Sequence, residues 1–180
     1  MLEVELKVKI PSLDPVRAAL VSRNATFLGR VHEHDIYYNA PHRDFGLTDE
    51  AVRVRYTDDH AVVTYKGPKI KKYGLKAREE LNFGVESGRD FEIMLERLGF
   101  TKTTEVNKWR ETYRSDGATI SLDNVDELGT FAEIEIIIEN EDTNPTELIG
   151  KIAKEIGAEG EAILASYLEL LLAKRSGAHK

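Results

Sequence analysis

Apolar and charged residues alternate along much of the chain. Leu2, Val4, Leu6 and Val8 interleave with Glu3, Glu5 and Lys7. Alternate side chains of an extended strand share a face, so this segment has one apolar face and one charged face. The alternation recurs and predicts strands over about 2–10, 28–38, 50–57, 61–66, 75–83, 103–114, 118–124 and 130–139. Turn residues separate them at Asp58-Asp59, Gly67-Pro68, Asp116-Gly117 and Leu128-Gly129. Asp116-Gly117 lies between two alternating runs, which predicts a hairpin and an antiparallel sheet.

Helical periodicity occurs in four places. Ser12 caps a predicted helix running to about Asn24, with Pro15 in its first turn. Ser87 precedes Phe91, Met94, Leu95 and Leu98, one stripe of a helix that Gly99 stops. Asn144-Pro145 opens a third helix, with Leu148, Ile149, Ile152 and Ile156 on one side and Gly157 after it. A leucine-rich helix is expected over about 161–174. No repeat or linker divides the chain, so residues 1–175 read as a single domain and 176–180 as a loose tail.

Each helix must bury its apolar stripe. If the apolar strand faces turn outward, the helices cover them and the charged faces look into a concave interior. Arg53 and Arg55 alternate with Val52 and Val54, and Lys66 follows Tyr65. Lys76, Arg78 and Glu80 alternate with Ala77, Glu79 and Leu81; Lys108 and Arg110 flank Trp109. Ser121 and Asp123 alternate with Ile120 and Leu122, while Glu133 and Glu135 oppose Ile134 and Ile136. So many charges cannot be buried dry and unpaired. Such an interior is wet, cross-paired or filled by a ligand. Arginine and lysine bind phosphate oxygens. Carboxylates bind it only through a bridging cation, and an all-oxygen donor set favours Mg²⁺ or Mn²⁺ over zinc.

Composition narrows the classes. The chain has 180 residues, 32% of them charged, a net charge of −7 and no cysteine. The acidic balance excludes a nonspecific nucleic-acid binder. The missing cysteine excludes disulfides, thiolate metal sites and a thiol nucleophile. Charges interrupt every apolar run, so neither a signal peptide nor a membrane span is expected, and the protein reads as cytoplasmic.

The ordered charged positions resemble the CYTH superfamily, also called triphosphate tunnel metalloenzymes. Its Glu-x-Glu-x-Lys signature is matched by Glu3, Glu5 and Lys7. Its later positions are matched by Arg53-x-Arg55, Lys66, Arg78-x-Glu80, Lys108-x-Arg110, Asp123 and Glu133-x-Glu135. The resemblance covers about residues 2–172 and implies an α+β fold: an eight-stranded antiparallel β-barrel with helices on its outer face. It assigns Glu3, Glu5, Asp123, Glu133 and Glu135 to the metal. Lys7, Arg53, Arg55, Lys66, Lys108 and Arg110 go to the substrate phosphates. Arg78 and Glu80 join these two sets or pair with each other.

Two stretches resemble class IV adenylyl cyclases, namely His34 to Asn39 with Pro41 and Asp44-Phe45, and Ser166 to Leu171. The implied activity is conversion of ATP to 3′,5′-cyclic AMP and pyrophosphate, with no general base assigned. A triphosphatase acting on inorganic triphosphate, thiamine triphosphate or a nucleoside triphosphate is the alternative. A noncatalytic polyphosphate or nucleotide module comes third, since the carboxylates exceed what anion binding needs. Analogy with class IV cyclases suggests a homodimer. His32 and His34 read as polar surface, Trp109 as core under a helix, and Tyr167 as packing. Lys69, Lys71 and Lys72 read as a solvated basic loop.

Overall fold

A computed structural model of the chain describes residues 2–58, 60–70, 76–138 and 144–177, with the side chains of Leu2 and Lys76 excepted. Eight strands close into an antiparallel barrel in the order β1-β5-β4-β3-β2-β6-β7-β8. They are β1 (Leu2–Lys9), β2 (Thr26–Asn39), β3 (Ala51–Thr57), β4 (His60–Lys66), β5 (Lys76–Val85), β6 (Thr101–Ser115), β7 (Ala118–Val125) and β8 (Gly129–Ile138). β1 completes the ring by pairing with both β5 and β8. Asp116 and Gly117 have φ of 52° and 78°, the left-handed pair that a two-residue hairpin turn requires, and Ser115 pairs with Ala118 across it.

The apolar strand faces point outward. α1 (Leu13–Ser22) and α4 (Pro145–Glu155) cover β1, β7 and β8. Val16, Leu20, Ile149, Ile152 and Ile156 meet Val4, Val8, Ile120, Leu122, Ile134 and Ile136 there, all buried. α3 (Gly88–Arg97) lays Leu95 on Ile36, Tyr38, Val54 and Val63. The rest of its expected stripe is less covered, with Phe91 half-buried and Met94 and Leu98 exposed, because one strand pair offers α3 only a narrow bed.

α5 (Tyr167–Arg175) has a different place. Tyr167 and Leu171 pack with Tyr37, Ala51, Val106, Val125 and Phe131. Each of these strand residues has the parity of the inward-facing charges on its strand, so α5 stops one end of the barrel interior. The helix starts at Tyr167, later than expected. Residues 159–166 are irregular because the Ile163 amide donates to the Lys7 carbonyl and Lys7 Nζ donates to the Ala165 carbonyl. Ser166 and Glu169 then form a capping box. A single-turn helix, α2 (Phe45–Thr48), was not anticipated; the Asp44 side chain caps it.

Trp109 is not core. It is 44% exposed, with the His32 ring 5.1 Å and the Arg30 guanidinium 4.7 Å from its own ring. Among the described residues it joins none of the buried apolar clusters under the helices. Lys71, Lys72 and most of the expected tail lie outside the described residues. Among the described residues no helix is long and apolar enough to cross a membrane.

Candidate active site

The barrel encloses a cavity of about 220 Å³. Every site residue expected from the sequence lines it except Asp123. β1 contributes Glu3, Glu5 and Lys7; β3 Arg53 and Arg55; β4 Lys66; β5 Arg78 and Glu80; β6 Lys108 and Arg110; β8 Glu133 and Glu135. Period-two geometry places them there, since each group sits on one face of its strand.

One wall is cationic and is organised by β2, which the sequence reading left out. Asp35 is fully buried and accepts from Arg55 Nε at 2.6 Å and Arg55 Nη2 at 2.8 Å. Arg53 Nη1 and Lys108 Nζ stand 3.5 and 3.4 Å from Asp35 Oδ2. Glu33 adds contacts of 2.6 Å to Lys108 and 3.0 Å to Arg55. Burial pushes both acids up, but the surrounding cations outweigh it. Glu33 is held at about 2 and Asp35 well below the usual carboxylate range. Burial and the neighbouring Arg55 push Lys108 down. Glu33, Asp35 and Tyr37 alternate in the sequence opposite Ile36 and Tyr38, and that pattern would have marked them.

Two of the cavity cations have buried donors in need of an acceptor. Arg53 Nε and Arg78 Nε have no hydrogen-bond partner among the described residues. An unpaired buried guanidinium donor is costly, and a phosphate oxygen would satisfy it. Elsewhere, Lys66 pairs with Glu80, and Lys7 lies 3.4 Å from Glu5 and 3.3 Å from Glu133.

The opposite wall is acidic. Glu5 and Glu135 are direct cross-strand partners, a like-charge arrangement that destabilises an empty sheet. Burial, with Glu3, Glu5 and Glu133 nearby, pushes Glu135 up to about 7. Burial and Glu80 push Glu3 up as well. This donor set fits a hard divalent cation, whose charge would offset the repulsion. Among the described residues no three His, Asp or Glu side chains are already placed to hold a metal ion, so the fit rests on donor chemistry.

A pH dependence follows. Glu135 titrates near 4.5 unfolded and near 7 folded, so the native protein holds the extra proton between those values. Its stabilising contribution is complete below pH 4.5 and is lost as pH rises through 7. The metal-free protein should therefore melt at progressively lower temperature from pH 5 towards pH 8. Glu135→Gln should flatten that slope, and Mg²⁺ should raise the melting temperature more at the upper end. A wild-type melting temperature that climbs over this interval would contradict the assignment.

The CYTH domain family matches residues 1–165 of this chain. The protein is a member of the CYTH family. A Methanocaldococcus jannaschii relative that bears the name "Putative adenylate cyclase MJ0240" is 38% identical over 173 residues, covering 94% of this chain and 98% of that one. The solved PH1819 protein of Pyrococcus horikoshii OT3 has a TM-score of 0.86 and 39% identity, over 96% of this chain and 99% of that one. The fold is also shared with HpAC1 of Hippeastrum, described as having a dominant triphosphatase activity. That match has a TM-score of 0.72 and 20% identity, over 99% of this chain and 97% of that one. This CYTH barrel differs from a plain anion pocket in pairing its cationic wall with the acidic one across the same cavity.

Proposed function

We propose that this CYTH protein is a metal-dependent adenylyl cyclase that converts ATP to 3′,5′-cyclic AMP and pyrophosphate. The observation that carries the reading is a second cavity of about 180 Å³ that shares Tyr37, Ala51, Arg78 and Ser166 with the charged one. Tyr38, Phe45, Leu168 and Leu172 give it apolar walls. Inorganic triphosphate needs only the charged cavity. A nucleoside triphosphate needs an adjoining apolar space for its base, and the two compartments meet at Arg78.

In this reading Arg53, Arg55, Lys66, Arg78, Lys108 and Arg110 hold the phosphate chain and stabilise the departing pyrophosphate. Glu3, Glu5, Glu133 and Glu135 would hold Mg²⁺ or Mn²⁺, which lowers the cost of charge on the attacking oxygen and on the phosphate. The barrel walls orient the ribose so that its 3′-oxygen faces the α-phosphorus in line with the leaving group. The 3′-oxygen loses its proton to solvent as it bonds to that phosphorus, and the bond from the α-phosphorus to the bridging oxygen breaks, its electron pair leaving with pyrophosphate.

Products test this. ATP with Mg²⁺ or Mn²⁺ should give cyclic AMP and pyrophosphate in equal amounts, and 3′-deoxy-ATP should give neither. A triphosphatase would use the same charged walls with water as nucleophile. Orthophosphate released equally fast from 3′-deoxy-ATP, with no cyclic AMP from ATP, would replace the cyclase by that activity.

A further inference from the structure

Asp123 is inward-facing and wholly buried, yet it does not line the cavity. Its Oδ1 accepts from Arg110 Nε at 2.7 Å, and its Oδ2 accepts from Arg110 Nη2 at 2.5 Å and from the Tyr167 hydroxyl at 2.8 Å. Arg110 also donates to Glu133. The Tyr167 ring lies 4.3 Å from Lys7 Nζ and 5.6 Å from Lys108 Nζ, close enough for cation–π attraction to both. One aromatic side chain thus touches two cavity cations and the support of a third. The family match ends at residue 165, and Tyr167 lies just beyond it, on the helix that stops the barrel.

We propose that Tyr167 is a positioning residue that holds Arg110 towards the substrate phosphates through Asp123, and that Asp123 serves as this anchor instead of as a metal ligand. A divalent ion at Asp123 would have to displace either the two-pronged guanidinium or the phenol, and it would bring a second cation against Arg110. The capping box at Ser166 and the packing of Leu171 keep the first turn of α5 in place, so the hydroxyl arrives at a defined point. The inference rests on the reading of the barrel as a triphosphate site.

The test uses inorganic triphosphate as probe on the full chain, by calorimetry in EDTA and then with Mg²⁺ titrated in. Tyr167→Phe keeps the ring and the packing and removes only the hydroxyl, so it is the deciding variant. It should weaken triphosphate binding in EDTA about fivefold, a fraction of one hydrogen bond to a charged group, because the hydroxyl acts on the phosphates only through Asp123 and Arg110. Asp123→Asn should weaken it about tenfold or more. Neither should change the Mg²⁺ concentration that gives half of the metal-induced melting shift. Glu135→Gln should do the reverse, raising that concentration without weakening metal-free binding, since it removes a negative charge from the cavity that takes the anion. Unchanged metal-free binding by Tyr167→Phe would overturn the relay. So would an Asp123→Asn variant whose Mg²⁺ requirement moves like that of Glu135→Gln. Wild-type protein that ignores triphosphate in both conditions would remove the triphosphate reading itself, and this inference with it.

Discussion

Glu133→Gln and Glu135→Gln should each lower turnover by at least about tenfold while the barrel stays folded, and excess EDTA should abolish turnover of the wild type. The two carboxylates sit on one face of β8 and line the cavity opposite β1, where Glu135 faces Glu5 and Glu133 faces Lys7. Replacing Glu135 removes one member of a repelling acidic group. The empty protein should gain stability from that change while it loses the donor. Glu133 has more attachments, because it pairs with both Lys7 and Arg110. Its amide variant should therefore also loosen two cavity cations, raising KM as well as lowering kcat. Steady-state rates across a Mg²⁺ titration separate these effects. Full activity in metal-stripped buffer would end the metal assignment.

Asp35→Asn should cost about 3–5 kcal/mol of stability, the loss expected when a buried ion cluster is left with uncompensated charge. Asp35 is the common partner of Arg55, Arg53 and Lys108, and it has 1% of its surface exposed. Among the described residues Glu33 forms ion pairs with Arg55 and Lys108 and none with Arg53, so it cannot take over there. For a chain of this size the loss corresponds to a fall in melting temperature on the order of 10 °C. Inorganic triphosphate should restore much of it, since an anion in the cavity replaces the missing charge. Thermal melts with and without triphosphate check both halves, and a variant that melts within about 2 °C of the wild type would show that Asp35 is not the organising charge.

Neither Asp35 nor Glu33 is among the site residues that the family resemblance implies, although both stand in plain alternation on β2. The resemblance at His34 to Asn39 concerns the identity of that segment and is silent on which of its faces turns inward. Trp109 failed for the opposite reason. Its parity was read correctly as outward, but whether a helix covers an outward residue depends on where α1, α3 and α5 come to rest. The late start of α5 could not be seen either, because apolar residues over 161–166 fit a helix until β1 offers them hydrogen bonds.

The sequence by itself determined which residues share a strand face, because a strand repeats every two residues whatever it pairs with. It therefore listed nearly the whole charged lining, from Glu3 to Glu135, and located the hairpin at Asp116-Gly117. It also located the helices that shield the outer apolar faces. The tertiary structure decided which charges meet. Cross-strand register put Glu5 opposite Glu135, barrel closure brought β2 and β6 together around Asp35, and the stop formed by α5 carried Tyr167 to Asp123. These are contacts between residues up to 100 or more positions apart, such as Lys7 with Ala165. Their energies depend on burial and on the full set of neighbouring charges, and no local period encodes either.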